Sequence, residues 1–215
     1  HVKRFVNSEA CDALKTRLVD SKNIRILTYF GNGFRDITNN VRPINHPSDV
    51  AGLSLRTPEN QAQIETFKLL KAVVTPLTFT ELYSALQQGV VDGQENPIQQ
   101  IYTAKFYEVQ KYLAVTNHMF NPGAICINEQ FYQSLPNDLK EILCDCIAEA
   151  AEWQMSYVEN SDKANLQDMI DKGIEVTYPD MQEFKEATAP VLEIMYEQYG
   201  EDAKALVEAI NSCRE

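Results

Sequence analysis

The sequence predicts an α/β protein in which short apolar strands alternate with amphipathic helices. The strand-like runs at 53–56 and 73–77 are each followed by a helix-forming segment, at 60–70 and 80–88. Alternation of this kind favours a parallel sheet flanked by helices. The chain of 215 residues contains no internal repeat and no linker. Any second domain must therefore be interwoven with the first rather than appended to it.

Helical spacing and turn residues assign the elements of the first half of the chain. Apolar residues between Phe5 and Leu18 recur on one helical face, whereas the apolar-rich run at 24–30 is typical of a strand. Gly31-Asn32-Gly33 predicts a turn, and Pro58 marks the turn that precedes the next helix. In order, the prediction is helix 5–20, strand 24–30, turn 31–33, loop 39–47, a turn or short helix at 48–52, strand 53–56, helix 60–70 and strand 73–77.

The second half is divided by prolines and glycines. Pro97 opens a helix, and Gly173 closes a segment from 139 to 172 that is nearly free of Gly and Pro and has helical spacing. That segment predicts one long helix or two abutting helices. In order, the prediction is helix 80–88, strand 90–93, helix 98–108, extended stretches 111–115 and 124–128, the helical segment 139–172, strand 174–178 and a last helical region that starts at 179.

Charge and hydropathy exclude several classes of partner. The chain has 19 Lys plus Arg against 31 Asp plus Glu, a net charge of −12. This balance argues against a nucleic-acid partner and against an anionic membrane surface. No apolar run approaches the length of a bilayer span, so we expect no membrane insertion. An anionic ligand is compatible with this charge, because a local arginine pocket can outweigh distant, salt-screened carboxylates.

Catalytic and cofactor motifs are absent from the sequence. None of His1, His46 and His118 has a metal ligand or a base at motif spacing, and the chain lacks a P-loop and a Gly-x-Ser-x-Gly motif. Gly31-Asn32-Gly33 lacks the third glycine of a dinucleotide site. The five cysteines include no Cys-x-x-Cys pair. We therefore expect a protein that is not an enzyme and that needs neither a metal nor a cofactor.

The stretch 89–97 is the most informative about function. A short β-segment stops at Asn96, just before Pro97, which has no backbone N–H. Ligands of α/β proteins bind outside the carboxyl ends of the strands, where Asn96 can both donate and accept a hydrogen bond. Arg56 also ends a predicted strand, and its planar guanidinium suits a carboxylate. From these residues alone, however, a surface arginine paired with a nearby acid is the simpler interpretation.

The motif Gly-Val-Val-Asp-Gly-Gln-Glu-Asn-Pro at 89–97, followed by Lys-Phe-Tyr-Glu-Val-Gln-Lys-Tyr-Leu at 105–113, resembles a known family. It is similar to the solute-binding subunits of tripartite ATP-independent periplasmic (TRAP) transporters of the C4-dicarboxylate-binding (DctP) type. The resemblance runs from about Phe5 to about Ala209 and covers the later two-thirds of the family. It implies a periplasmic-binding-protein-like fold with two interwoven α/β domains, hinge strands and a long connecting helix.

The resemblance also implies a domain organisation and a location. Residues 31–121 and 153–215 would form the second α/β domain with the C-terminal helices, and residues 1–30 and 122–152 would be the remnant of an incomplete first domain. The chain starts at His1 without a Met or an apolar leader. Export to the periplasm, with a signal peptide removed, is therefore an implication of the resemblance alone.

Three site candidates come from matches to family motifs. Leu53-Ser54-Leu55-Arg56-Thr57-Pro58 resembles the family segment whose arginine forms a bidentate salt bridge to the ligand carboxylate, which assigns that role to Arg56. Arg35 matches a second basic position that faces the site, and its alternative is a salt bridge to Asp36. Asn96 matches the pocket amide.

Four further candidates follow from the same resemblance. Phe79 matches an aromatic residue that packs on the ligand's carbon skeleton, and its alternative is an ordinary core residue. His118 matches a position close to the cleft, although a lone histidine is more often structural. Asn60 and Gln63 lie on the helix after Arg56, where family members vary with their ligand. Glu95 and Asp92 are acids beside the site, and Asp92 is expected to form a turn.

The resemblance implies a transport function. The protein would capture a small organic acid with Arg56 and deliver it to a sodium-coupled TRAP membrane permease, its protein partner. An alternative is a ligand-binding sensor or interaction module of the same fold that serves a signalling receptor. A catalytic role is the third possibility, and it would need a base and a nucleophile that converge on Arg56.

Overall fold

The structure is a computed structural model that describes the backbone of residues 2–214 and the side chains of residues 4–214. Within this range it contains six strands, ten α-helices and two short 3₁₀ turns. The strands are β1 Ile24–Asn39, β2 Ser54–Thr57, β3 Val73–Pro76, β4 Gly93–Pro97, β5 Tyr112–Asn128 and β6 Glu175–Thr177. The helices are α1 Val2–Val6, α2 Glu9–Lys22, α3 Gln61–Leu69, α4 Phe79–Gln87, α5 Ile98–Thr103, α6 Glu129–Ser134, α7 Asn137–Asp171, α8 Met181–Thr188, α9 Val191–Tyr199 and α10 Glu201–Ser212, and the 3₁₀ turns are Pro47–Val50 and Phe106–Glu108.

The strands form one mixed sheet in the order β3-β2-β4-β1-β5-β6. The pairs β2–β3, β2–β4 and β5–β6 are parallel, whereas β1 is antiparallel to β4. The α/β class is confirmed, but the expected parallel sheet holds only in part. Strands β2, β3 and β4 follow one another through the crossover helices α3 and α4, and such crossovers produce parallel pairing. The connection from β1 to β2 contains only a 3₁₀ turn.

The chain divides into two compact units. Unit 1 comprises the chain up to Gly31, Pro122–Tyr157 and the chain from Tyr196 onward, and unit 2 comprises Asn32–Asn121 and Val158–Met195. These bounds differ from the sequence-based assignment, which put 153–157 and 196–215 with the second domain. Helix α10 belongs to unit 1 because the Arg4 Nε donates to the Cys213 carbonyl (2.7 Å). The assignment to domains of the whole protein stays a prediction, and its end residues His1 and Glu215 lie outside the described residues.

Three predicted turns or strand limits were wrong. Each of them lies at a glycine or an asparagine, residue types that tolerate a positive φ or, for glycine, a close approach of another strand. Strand β1 continues through Gly31-Asn32-Gly33, and Gly33, at φ +86°, accommodates the irregularity within the strand. Strand β5 is likewise continuous through Asn117, at φ +44°, where two separate stretches were expected. Strand β4 begins at Gly93 instead of ending there, since this glycine lies directly against the Thr38 carbonyl of β1.

The predicted helices are present with modified ends. Helix 5–20 is divided into α1 and α2, and the Ser8 Oγ caps α2 by accepting from the Cys11 N–H (3.3 Å). Helix 98–108 is α5 followed by a 3₁₀ turn. The segment 139–172 is one helix, α7. Between Val2 and Arg214, no helix combines the length and the hydropathy that a bilayer span requires.

Two apolar clusters in unit 2 cover the sheet on both faces. Leu113 and Ala114 are consecutive residues of β5 and contribute to different clusters, which places the clusters on opposite faces because successive strand residues alternate. One cluster includes Leu82 and Leu86 of α4, and the other includes Phe67 of α3. This double cover buries the central strands of the sheet and keeps the polar residues of β4 out of water.

Candidate functional site

A cluster of buried polar side chains surrounds Glu95 in unit 2. The Glu95 carboxylate, which is 0% exposed, accepts hydrogen bonds from the Arg35 Nε (2.5 Å) and Nη2 (2.9 Å). It also accepts from the Gln63 Nε2 (3.1 Å), and the His118 Nε2 lies 3.3 Å from its Oε2. Burial, the largest single effect, acts to raise the pKa of Glu95, but the bonds and charges of His118 and Arg35 outweigh it and lower that pKa below its ordinary value. Glu95 is therefore an ionised anchor for three of the predicted site residues.

Arg35 is held by β4 rather than by its sequence neighbour. Besides the Glu95 carboxylate, its Nη2 contacts the Glu95 carbonyl (2.6 Å) and the Asn96 Oδ1 (2.9 Å). The alternative of a salt bridge to Asp36 was wrong, since successive residues of a strand point to opposite faces. The Asp36 carboxylate instead accepts the main-chain N–H of Asn117 (2.9 Å). The positive charge of Arg35 is thus matched by a buried carboxylate.

Arg56 is buried in a different way. It lies on β2, between Thr75 of β3 and Gln94 of β4, and is 3% exposed. Its Nε and Nη2 both donate to the Leu77 carbonyl (2.8 and 2.6 Å), and no carboxylate of the described residues forms an ion pair with it. Burial lowers the pKa of Arg56, as does the charge of Arg35, while Glu95 acts in the opposite direction. The simpler interpretation, a surface arginine paired with an acid, does not apply.

Asn96 completes the polar cluster at the end of β4. Its Oδ1 accepts from Arg35, and its Nδ2 donates to the Gln94 Oε1. Pro97 follows as the residue from which α5 begins. The strand predicted to stop at Asn96 ends one residue later, at Pro97. The amide of Asn96, expected to face a ligand, is buried and has a protein partner at each end.

The remaining candidates lie in different local settings. Phe79, at the start of α4, is 47% exposed, and its ring packs edge-on against Phe106 (5.6 Å between centroids). His118 contacts the Thr116 Oγ1 through its Nδ1 (2.7 Å). Asn60 is exposed and caps α3 by accepting the Gln63 N–H (3.1 Å). Arg35, Gln63, His118 and Asn96 are thus brought together around Glu95, whereas Asn60 acts on the helix end.

Glu95 was predicted only as an acid beside the site, and Gln94 was not predicted. Gln94 pairs with Arg56 across β2 and β4, and its side chain accepts from the amide of Asn96. A signal was available, because Gln94-Glu95-Asn96 places three polar residues in succession between two apolar helices. All five residues of β4 are buried. Such residues are rarely buried unless they are hydrogen-bonded or paired, so a polar strand in this position indicates a built polar network. Asp92 was expected to form a turn; its carboxylate instead accepts the main-chain N–H of Ser54 at the start of β2 (2.8 Å).

Beside this cluster, Arg56 has hydrogen-bond donors that are left without an acceptor among the described residues. The contacts of Arg56 with Leu77 leave both N–H groups of its Nη1 and one of its Nη2 without a partner in the described part of the chain. The acid of the cluster, Glu95, is fully engaged. The arrangement therefore suits a ligand that is rich in acceptor oxygens and carries negative charge.

The described residues contain no set of side chains arranged as metal ligands. In the described range, no three His, Cys, Asp or Glu side chains group in a way that could hold a metal ion. The five cysteines are free thiols. The candidate site is the buried polar cluster of unit 2 with Arg35 and Arg56.

The chain is similar to bacterial solute-binding proteins. The family model for "bacterial extracellular solute-binding protein, family 7" (DctP) matches residues 1–199. The sialic acid-binding periplasmic protein SiaP of Vibrio cholerae is 37% identical over 191 residues, which are 89% of this chain. Two crystal structures are similar over nearly the whole chain. A TRAP periplasmic solute-binding protein from Roseobacter denitrificans with bound β-D-glucuronate has a TM-score of 0.92 at 29% identity over 98% of this chain, and one from Shewanella oneidensis with bound succinate has a TM-score of 0.90 at 27% identity over 100%.

The chain is shorter than these proteins. It spans 59% of the Vibrio cholerae relative and 63% of another solute-binding protein that is 35% identical. It covers 69% and 70% of the two crystal structures. The similarity therefore covers the fold of the chain as given and leaves about 30–40% of each known protein outside the match.

Proposed function

Because the chain belongs to the family of bacterial extracellular solute-binding proteins, family 7, whose members include the solute-binding proteins of TRAP transporters, we propose that the protein binds a small organic acid through Arg56. The observation that carries the proposal is the buried guanidinium of Arg56, which donates only to a main-chain carbonyl and has no carboxylate partner in the described chain. A ligand carboxylate would supply the missing negative charge.

The electrostatics support a single carboxylate at this position. A buried charge without a partner carries a penalty of several kcal/mol, which an opposite charge with good hydrogen-bond geometry can offset. Arg35 has that compensation from a direct ion pair with Glu95, whereas Arg56 experiences the charge of Glu95 without a direct ion pair in the described chain. Of these two arginines, Arg56 is therefore the one whose charge a ligand would neutralise. Arg35, held rigidly by Glu95, adds N–H groups and a positive field to the same cluster.

The other predicted residues receive proposed roles from their positions. Phe79 presents nearly half of its ring to solvent and would pack on the carbon skeleton of the acid. Asn96 would donate its remaining N–H to an oxygen of the ligand. His118 and Gln63 contact the carboxylate of Glu95. They would act on the ligand indirectly, by keeping the Glu95 side chain in place. Asn60 would act by fixing the start of α3.

The class of ligand and the physiological role follow from the relatives. One relative is a sialic acid-binding protein, and the two crystal structures contain bound glucuronate and bound succinate. All three of these acids present a carboxylate. We propose an acid of this kind as the ligand, the periplasm as the location, and a sodium-coupled TRAP membrane permease as the partner that receives it. The role is binding and delivery without a chemical step, since the relatives are described as binding proteins.

Calorimetric titration of the complete protein tests the proposal. N-acetylneuraminate, D-glucuronate and succinate are titrated into the wild type and into Arg56→Ala. A desolvated charge pair is worth about 2–5 kcal/mol, so Arg56→Ala is expected to weaken the best ligand by about 30-fold or more. Retention of wild-type affinity in Arg56→Ala would refute the proposed role of Arg56.

Arg42→Ala is the matched control. Arg42 also lies in unit 2, and its Nε and Nη2 also donate to main-chain carbonyls, those of Asp49 (2.8 Å) and Ala51 (2.6 Å). In the part of the chain that the structure describes, no hydrogen bond or ion pair joins Arg42 to Glu95 or to the side chains that Glu95 contacts. Arg42→Ala is expected to bind within about threefold of the wild type. An equal loss in both variants would attribute the effect to general destabilisation instead of the carboxylate contact.

A further inference from the structure

A chain of buried polar side chains runs from Asn96 away from the arginines. The Asn96 Nδ2 donates to the Gln94 Oε1, and the Gln94 Nε2 donates to the Thr38 Oγ1 (2.9 Å). The Thr38 hydroxyl then donates to the Gln110 Oε1 (2.8 Å). The chain ends where the Gln110 Nε2 donates to the carbonyls of Val109 (3.0 Å) and Asp92 (3.3 Å). All four side chains are almost fully buried in unit 2.

The sheet register explains why this chain forms. Thr38 of β1 lies directly opposite Gln94 of β4 in the antiparallel pair, so their side chains meet. Gln94 and Asn96 are two residues apart on β4 and share one face of the sheet. Gln110 precedes β5 and reaches the same face from the loop. The connection is thus built from neighbouring strands and does not depend on a flexible segment.

The direction of every bond in this chain is determined. Main-chain carbonyls only accept, so Gln110 must present its nitrogen to them and its oxygen to Thr38. The Thr38 hydroxyl has one proton, which goes to Gln110, so Thr38 must accept from the nitrogen of Gln94. Gln94 must then present its oxygen to Asn96. Arg35, which has no acceptor, fixes the other end, because only the Asn96 Oδ1 can accept from it.

From this polarity we propose that Thr38, Gln94 and Gln110 are positioning residues that fix the amide of Asn96 and thereby make it a hydrogen-bond donor toward the ligand. The Asn96 Oδ1 is held by Arg35, and one of its two N–H groups is held by Gln94. The second N–H group remains for an oxygen of the bound acid. This inference rests on the proposed function for the ligand contact, although the relay itself exists without a ligand.

A purely structural role explains this network less well. Apolar side chains of the same shape can replace a buried polar network at little cost in stability, or even with a gain. Here three polar side chains, those of Thr38, Gln94 and Gln110, connect main-chain carbonyls in a single line to the one amide that contacts Arg35. Such an arrangement transmits a defined orientation to Asn96, which a set of apolar residues could not do.

The first test needs no ligand. In ¹⁵N-labelled full-length protein, the side-chain amide of Asn96 is expected to exchange its protons at least about tenfold more slowly than the exposed amide of Asn60. Thr38→Val removes the hydroxyl but keeps the shape, so the Asn96 amide protons are expected to exchange at least tenfold faster and their chemical shifts to move. Thr38→Ser, which keeps the hydroxyl, is expected to restore the wild-type signals.

Thr57→Val is the matched control for this readout. The Thr57 hydroxyl is also fully buried, but it has no hydrogen-bond partner in the described chain. Its removal is expected to leave the Asn96 amide signals unchanged. An Asn96 amide that is unaffected by Thr38→Val, or affected equally by Thr57→Val, would overturn the relay.

The second test uses D-glucuronate as the probe in calorimetric titrations. We expect Thr38→Val to weaken binding by about tenfold, and Thr38→Ser to bind within about threefold of the wild type. In an Asn96→Ala background, Thr38→Val is expected to have no further effect, because the residue it positions is absent. An equal loss in both backgrounds would overturn the positioning role. If D-glucuronate, N-acetylneuraminate and succinate all fail to bind, the proposed function fails, and the exchange experiment still decides the relay.

Discussion

Replacement of Glu95 by Gln should destabilise unit 2 strongly, because it removes the only carboxylate that pairs with Arg35 in the described chain. Arg35 is 5% exposed and Glu95 is 0% exposed, and they are joined at 2.5 and 2.9 Å. Breaking a buried ion pair from one side leaves an uncompensated charge and costs about 3–5 kcal/mol. The new amide also places an N–H group among the donors of Arg35 and Gln63. We therefore expect Glu95→Gln to lower the free energy of unfolding by about 4 kcal/mol.

Urea unfolding followed by circular dichroism measures this change. Glu65→Gln is the matched control, since it breaks the exposed ion pair of Glu65 with Lys68 on α3 (2.8 Å), which is worth about 0–1 kcal/mol. The double variant Arg35→Gln with Glu95→Gln should be more stable than the sum of the two single changes predicts, because neither charge is left alone. A loss below about 1 kcal/mol in Glu95→Gln, or strict additivity in the double variant, would refute the role of Glu95 as the ionic anchor.

Three further outcomes can be measured by the same methods. Gly93→Ala should cost about 3 kcal/mol or more, since its Cβ would lie 2.1 Å from a main-chain oxygen, whereas Gly89→Ala, at φ +69° with open space around it, should cost about 1 kcal/mol. Burial raises the pKa of Asp36 to about 7, partly opposed by main-chain N–H groups, so the native state binds more protons than the unfolded state between about pH 4 and pH 7. The stability of the wild type relative to Asp36→Asn should therefore be highest below about pH 4 and fall as the pH rises through 7, by up to about 4 kcal/mol, and an unchanged difference would contradict the burial argument. Phe79→Ala should cost less than about 1 kcal/mol of stability yet weaken ligand binding, while Phe106→Ala, in the core, should cost about 3–5 kcal/mol, and equal stability losses would contradict the exposure of Phe79.

The sequence predicted the alternation of strands and helices well because that pattern is local. Helix α7 is an example, since a long segment without Gly or Pro and with helical spacing leaves few other structures. The continuity of β1 and β5 could not be predicted in this way. Gly33 and Asn117 are residue types that are frequent in turns, but pairing with neighbouring strands keeps the chain extended around them. Tertiary pairing overrides local preference at such positions.

The sequence predicted individual candidate residues of the site. It did not predict the contacts that join them. Arg56, Arg35 and Asn96 were predicted as candidates, and the structure places them near one another in the sheet of unit 2, although their contact with a ligand stays a prediction. The role of Glu95 depends on Gln63 and His118, which lie 32 and 23 residues away from it along the chain. No local pattern encodes such contacts. The hydrogen-bond direction through Thr38 similarly depends on which atoms meet across β1 and β4.

The most direct measurement of the central claim combines a change in the ligand with a change in Arg56. D-glucuronate and its neutral amide, D-glucuronamide, are titrated calorimetrically into the wild type and into Arg56→Ala. If Arg56 holds the carboxylate, the wild type should prefer the acid by about 30-fold or more, and this preference should fall to within about threefold in Arg56→Ala. The same preference for the acid in both proteins would contradict the claim, because the carboxylate would then be recognised elsewhere.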